Sequence, residues 1–182
     1  MKTRTFLTRR VDALGRIVLP REIRRNLRIR EGDPLEIYTD REGIIFQKFS
    51  PVGELAPIAG EYAETLHKVC SLSVLICDKD TVVAAAGVSK KEFVDKPLSE
   101  ELEAIMEDRS LYLHREGGSA LFPVKENTTL PSRCAMPIIT EGDVVGCVVS
   151  LGDADRAGRE SAEVESKLIQ TAATFLGKQL EA

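Results

Sequence analysis

Between Arg9 and Ile37 the chain reads RRVDALGRIVLPREIRRNLRIREGDPLEI, with eight arginines and no lysine, and Arg41 makes nine. Apolar residues run through the whole stretch, so it is no disordered basic tail. A guanidinium offers a planar fork of donors that meets a phosphate or a carboxylate with two bonds at once. Leu19-Pro20 starts a helix over 20–28, because proline at the first helical position lacks an N–H that would be unpaired anyway. At about 100° per residue, with Arg21 at 0°, Arg24 falls at about 300°, Arg25 at about 40° and Arg28 at about 340°. The four share an arc of roughly 100°, and Ile23 and Leu27 lie nearly opposite. The competing reading is an ordinary solvated basic face. A helix this short is marginal alone, and Glu22 is its one acid. Four cations on one arc repel one another, so the arrangement calls for an anion.

The elements that must position these arginines are few. Thr5–Val11 reads as a strand and Arg16–Leu19 as a very short one, joined through the turn Ala13-Leu14-Gly15. After the helix, Glu31-Gly32-Asp33-Pro34 is a turn. Leu35–Thr39 and Ile44–Phe49 are strands joined by a loop at Asp40-Arg41-Glu42-Gly43. So small a unit usually needs a disulfide, a metal or a partner chain. All four cysteines (Cys70, Cys77, Cys134, Cys147) lie beyond it without a C-x-x-C pair, and His67 and His114 are the only histidines. Buried reduced thiols are expected, with no metal site. An obligate dimer is therefore expected. Ile44 and Phe46 on one face of the last strand, with Ile45 and Phe49 on the other, suit burial between two subunits.

Charge divides the chain. Residues 1–53 carry 12 Lys+Arg against 7 Asp+Glu, and residues 54–182 carry 13 against 22. Two domains with different partners follow, 1–53 and 54–182. No segment approaches the roughly 18 apolar residues of a membrane span, and MKTRTFLTRR lacks a signal-peptide core. A cytoplasmic protein with no membrane partner is expected.

The run VDALGRIVLPREIRRNLRIREGDPLEIY resembles the AbrB-type swapped-hairpin DNA-binding domain over about residues 3–50. The resemblance implies that two chains interleave their hairpins into one β-barrel, which presents arginines to double-stranded DNA. The motif positions that carry over are Arg9, Arg10, Arg16, Arg24 and Arg25, while Arg21 and Arg28 only extend the arc. The same fold occurs in antitoxins, which typically continue into a short disordered tail. Here the continuation has the composition of a folded domain.

Ser50-Pro51-Val52-Gly53 marks the junction. Beyond it, Leu55, Ile58, Ala59, Tyr62, Ala63, Leu66 and Val69 recur at helical spacing. That seam either packs on its own domain or pairs with its copy in another subunit. SVLICD (73–78) and 81–86 are continuous apolar strands, as in a sheet covered on both faces. Ser99 caps a helix whose apolar side is Leu98, Leu102, Ile105 and Met106. Strands at 133–139 and 144–151 flank the turn Glu141-Gly142-Asp143, and 160–180 is a final amphipathic helix. The element order and the run CAMPIITEGDVVGCVVSL, with its Pro137…Gly142…Gly146 spacing, resemble a GAF domain over about 54–180. The expected class is α+β: a swapped-hairpin barrel followed by a GAF-like sandwich around an antiparallel sheet. Joined, the two halves resemble sporulation-related bacterial transcriptional regulators. The resemblance implies a homodimer or homotetramer, with a second domain that dimerises and senses a small molecule.

No G-x-G-x-x-G, G-x-x-x-x-G-K-[ST] or G-x-S-x-G occurs, and Gly117-Gly118-Ser119 reads as a loop. No enzyme, cofactor or metal is expected. A ligand pocket, if formed, is bounded by the Leu98–Met106 helix and the sheet, under a lid at Arg115–Asn127. The competing class is an antitoxin-like or scaffold protein that acts through a protein partner.

Overall fold

The computed structural model describes residues 7–41, 43–115, 117–126, 129–152 and 161–181. The chain divides into two compact units, Met1–Phe49 and Ser50–Ala182. In the first, α1 is a six-residue helix, Arg21–Asn26. β1 (Leu35–Asp40) and β2 (Gly43–Lys48) form an antiparallel hairpin in the register Leu35↔Lys48 to Asp40↔Gly43. The Asp40 carboxylate accepts the Gly43 N–H at 2.8 Å and closes the loop.

The strands expected at 5–11 and 16–19 are not formed in the described residues, and Thr5 and Phe6 lie outside them. A strand exists only against a partner that takes its backbone bonds, and the single chain supplies none here. What forms instead is a tight turn. The Asp12 N–H bonds the Arg16 carbonyl at 3.0 Å, and the Gly15 N–H bonds the Asp12 carbonyl at 3.0 Å. Gly15, with φ of 76°, supplies the left-handed residue the turn requires. Among the described residues of this unit only Pro20 is buried.

The second unit opens with α2 (Pro51–Glu54), whose N-cap Ser50 accepts the Gly53 N–H at 3.0 Å. The residues read as the junction are thus already helical. α3 (Ala56–Cys70) follows, then β3 (Val74–Cys77) and β4 (Val82–Ala86). α4 (Lys90–Phe93) had no clear sequence signal, whereas α5 (Glu100–Asp108) is capped by Ser99 as expected, with the Leu102 N–H bonded to its hydroxyl at 3.2 Å. β5 is the two-residue Tyr112–Leu113, β6 is Ser132–Thr140, β7 is Asp143–Leu151 and α6 is Ala162–Gln179. The sheet order is β4-β3-β7-β6-β5, and every pairing is antiparallel.

Both faces of this sheet are covered, as the unbroken apolar strands require. Val74, Ile76, Ile138 and Val148 pack with Ala59, Ala63 and Leu66 of α3 and Ile169, Ala172, Ala173 and Leu176 of α6. Leu75, Cys77, Ala135, Cys147 and Val149 face the other way, against Phe93, Leu98, Leu102 and Met106. The seam of α3 therefore does pack on its own domain, though not all of it: Ile58 and Val69 stay exposed beside the buried line. No helix among the described residues is long and apolar enough to cross a membrane.

Gly177 sits where α6 meets β6, and a Cβ there would press on the carbonyl oxygen of Ile139. Alanine gains about 1 kcal/mol of helix propensity over glycine. Overpacking against backbone costs about 1–3 kcal/mol. A backbone carbonyl cannot swing aside, so the cost lies in the upper part of that range, and Gly177→Ala is expected to lower stability by about 1–2 kcal/mol net, read as the urea midpoint of the full chain; an unchanged or raised midpoint would mean that α6 is not held so close.

Candidate nucleic-acid interface

The sequence-predicted arginines occupy three places. Arg9 and Arg10 are exposed ahead of the Asp12–Arg16 turn, and an Arg9 Nη1 donates to the Thr8 carbonyl at 3.1 Å. Arg16 closes that turn. Its backbone N–H bonds Asp12 Oδ1 at 2.8 Å and its Nε bonds Oδ2 at 2.8 Å. The Leu14 N–H also reaches Oδ1, at 2.9 Å. These bonds hold the Asp12 carboxyl below the ordinary 3.8, first through the Arg16 backbone N–H and then through the Arg16 side chain. The Arg16 side chain stays 71% exposed, so its Nη groups project outward from a fixed Nε.

Arg21, Arg24 and Arg25 lie exposed on α1. Arg28 does not join them. The helix ends at Asn26, and Arg28 takes a left-handed φ of 51°. The Ile29 N–H bonds the Arg24 carbonyl at 2.8 Å and the Arg28 N–H bonds the Arg25 carbonyl at 3.2 Å. This is a Schellman ending, in which the left-handed position is usually glycine. The arc is therefore three arginines, and the fourth turns away with the backbone. Helical angles carried past a helix end mean nothing, and an arginine at the glycine position hid that end.

Two acids outside the predicted set order this surface. Asp12 has a recognisable signal, an aspartate three residues before a glycine. Asp33 is less legible: its Oδ2 accepts the Arg30 N–H at 2.8 Å and lies 3.0 Å from the Lys48 ammonium. Around them, Leu7, Val11, Leu14, Ile17, Val18, Leu27, Ile37, Tyr38, Ile44, Ile45 and Phe46 are all exposed. One chain leaves the apolar surface under its arginines uncovered.

In the second unit, apolar side chains occupy part of the space expected to be a pocket. Phe93, Leu98, Leu102, Met106, Leu121 and Val124 close onto the sheet between α5 and the loop after β5. Of the lid expected at Arg115–Asn127, Glu116 and Asn127 lie outside the described residues. A concavity lies at the start of α5, and Val124 belongs both to its lining and to this packing. It measures about 300 Å³ and is lined by Ser99, Glu100, Glu101, Ala120, Phe122, Val124 and Lys125. Lys125 Nζ and Glu100 Oε1 are 3.1 Å apart across it. Cys77 and Cys147 face each other across β3 and β7. Burial pushes both thiols up, and the Cys134 thiol up to about 12. All the cysteines are free. Among the described residues no group of His, Cys, Asp or Glu could hold a metal ion.

A small basic unit with only Pro20 buried among its described residues, joined to an acidic α+β unit with a covered sheet, has the build of a two-domain regulator. The family described as Stage V sporulation protein T C-terminal, transcription factor, matches residues 54–181. The family described as Antidote-toxin recognition MazE, bacterial antitoxin, matches residues 8–47. The chain is 45% identical over 178 residues to stage V sporulation protein T of Bacillus subtilis, covering 97% of this chain and 98% of that protein. It is 55% identical over 47 residues to the transition state regulatory protein AbrB of Bacillus subtilis, covering 26% of this chain and 49% of that protein. Among solved structures, the type II free methionine-R-sulfoxide reductase of Thermoplasma acidophilum matches with a TM-score of 0.53. It is 12% identical over 71% of this chain and 94% of that one, a likeness of fold alone. The chain belongs to the stage V sporulation protein T family of transcription factors.

A side chain in the left-handed region costs about 1–2 kcal/mol that glycine does not incur, and glycine returns part of that through a freer unfolded chain. Arg28→Gly is expected to stabilise the α1 ending by about 0.5–1 kcal/mol, measured as slower hydrogen exchange at the Ile29 amide. Faster exchange would mean that the arginine side chain holds the loop.

Proposed function

We propose that the chain regulates transcription in sporulation by binding double-stranded DNA through Arg9, Arg10, Arg16, Arg24 and Arg25. The observation that carries this reading is the exposed arginine set on a short helix and a locked turn. The 55% identity to AbrB over 47 residues adds to it. The arginines contact phosphates, so affinity falls steeply with salt. α1 is too short to read a groove as a recognition helix, so specificity owes much to DNA shape and deformability. The protein works in the cytoplasm, without catalysis or a cofactor.

The DNA-bound form is a pair of chains with interleaved hairpins. Exposed Ile37, Tyr38, Ile44, Ile45 and Phe46 on β1 and β2 support it, since an open hairpin with apolar residues on both faces needs a cover. The second unit associates separately, which makes a tetramer. Leu55, Ile58, Tyr62, Thr65 and Val69 repeat at 3-4-3-4 spacing on α3, and Val164, Leu168, Thr171 and Phe175 at 4-3-4 on α6. Such spacing makes a seam for a partner helix. Tyr62 stacks on Phe175 with ring centroids 5.1 Å apart, which joins the two lines into one strip. A small molecule acts at the concavity at the start of α5, whose lining carries both a carboxylate, Glu100, and an ammonium, Lys125.

The match of residues 8–47 to an antitoxin family supports a second reading, in which the first unit acts through a protein partner. Relatedness to stage V sporulation protein T over 97% of the chain favours the first. Fluorescence anisotropy on a labelled AT-rich duplex across a salt series separates them. Tight binding is expected for the unaltered chain. For Arg24→Ala/Arg25→Ala, weaker binding is expected, with a slope of log affinity against log salt shallower by about 0.9 for each phosphate no longer neutralised. No binding by the unaltered chain, with a stable protein partner recovered, would establish the second reading.

The seam is tested separately. Phe175→Glu is expected to halve the molar mass found by light scattering at micromolar concentration, with the duplex affinity of each pair retained. An unchanged mass would remove the α3–α6 strip as an interface.

A further inference from the structure

Lys48 ends β2, opposite Leu35 at the foot of the hairpin. Its ammonium donates to the Arg28 carbonyl at 3.0 Å and pairs with Asp33 Oδ2 at 3.0 Å. The same carboxylate oxygen accepts the Arg30 N–H at 2.8 Å. The Asp33 side chain is 7% exposed and that of Lys48 is 20% exposed, in a unit whose apolar residues stay largely in the open. From Arg28 the connection runs into α1. The Arg28 N–H is bonded to the Arg25 carbonyl and the Ile29 N–H to the Arg24 carbonyl. One ammonium thus ties the hairpin to the two residues that form the last turn of the arginine helix.

We propose that Asp33 and Lys48 are positioning residues for DNA binding: their ion pair, clamped on the Arg28 carbonyl, fixes the direction in which Arg24 and Arg25 leave α1 relative to the hairpin. The inference rests on the DNA-binding reading. A direct part for Lys48 runs against its geometry, because its side chain is largely buried and its ammonium lies against the Arg28 carbonyl and Asp33 Oδ2. Asp33 separates positioning from plain electrostatics by sign. A carboxylate beside a phosphate-binding surface repels the polyanion, so removing its charge should tighten binding if charge were all that mattered. If Asp33 positions the arginines, removing its charge weakens binding.

The test uses the full chain, with Asp33→Asn and Lys48→Met compared against the parent on a labelled AT-rich duplex across a salt series. Hydrogen exchange is followed in the same proteins without DNA. Each variant is expected to bind roughly tenfold more weakly at fixed salt, with an unchanged slope of log affinity against log salt, because the number of phosphates neutralised stays the same. The Arg28 and Ile29 amides exchange faster, while the ladder amides of Tyr38 and Ile45, a hydrogen-bonded pair of the hairpin, keep their protection. Equal or tighter binding by Asp33→Asn overturns the proposal. So does a slope shallower by about 0.9 per site in Lys48→Met, which would make Lys48 itself a phosphate contact. Loss of protection throughout the hairpin overturns it as well, since the pair would then hold the fold rather than the arginines. Binding by the parent tests the DNA reading by itself. The exchange pattern tests the clamp without DNA, so the two can fail separately.

Discussion

The first unit cannot cover its own apolar side chains. Fixing a backbone costs about 1–2 kcal/mol per residue. The offset comes from burial, about 1.5–3 kcal/mol for each large apolar side chain taken fully out of water. In the described residues of this unit that offset is almost absent, because Pro20 alone is buried. The segments ahead of α1 lack ladder partners for the same reason. The described residues of one chain leave the apolar side chains beside the arginines largely uncovered. In the proposed pairing of chains, affinity for a polyanion and self-association are thermodynamically linked.

The second unit has the opposite character. Two apolar layers sandwich its five-stranded sheet, and α2, α5 and α6 start at hydroxyl caps: Ser50, Ser99 and Ser161 each accept a backbone N–H of the turn that follows. It is also the acidic part of the chain, so it is repelled by the polyanion that attracts the first unit. The division of labour is electrostatic as much as structural. One unit is drawn to phosphate over distances near the Debye length. The other stays clear of it and keeps its exposed apolar strip on α3 and α6 available.

How much of this was legible in the sequence follows from what each feature depends on. The two-layer sheet was legible because unbroken apolar strands such as Val74–Cys77 admit no other placement. The Ser99 cap was legible because a cap is local. The four-arginine arc failed at Arg28, where an arginine stands in a left-handed position that a glycine would have announced. The strands ahead of α1 failed because strand formation is a property of a pair, and the pair is not within one chain. The expected pocket was legible only in outline. Hydrophobic pattern tells which residues face inward but not how far their volumes close the space, and Phe93, Leu121 and Val124 occupy part of it. Asp12, Asp33 and Lys48 were missed because charge counting treats an acid among arginines as a subtraction.

That subtraction has the opposite sign once geometry is considered. Two carboxylates in the basic stretch weaken its attraction for a polyanion, but exposed charges gain little from any one neighbour. An arginine side chain carries about 2 kcal/mol of rotamer entropy, which it must surrender on contact with a phosphate. Asp12 holds Arg16 by Nε and leaves its Nη groups free to project, so part of that ordering is already done before DNA arrives. Asp33 acts on backbone instead, through Lys48 and the Arg28 carbonyl, and orders the ending of the helix that carries Arg24 and Arg25. A uniformly basic stretch would attract DNA more strongly from afar and present its guanidinium groups less definitely on arrival. For the proposed DNA surface, which would read shape through the spacing of phosphates, fixed directions matter more than two further units of charge.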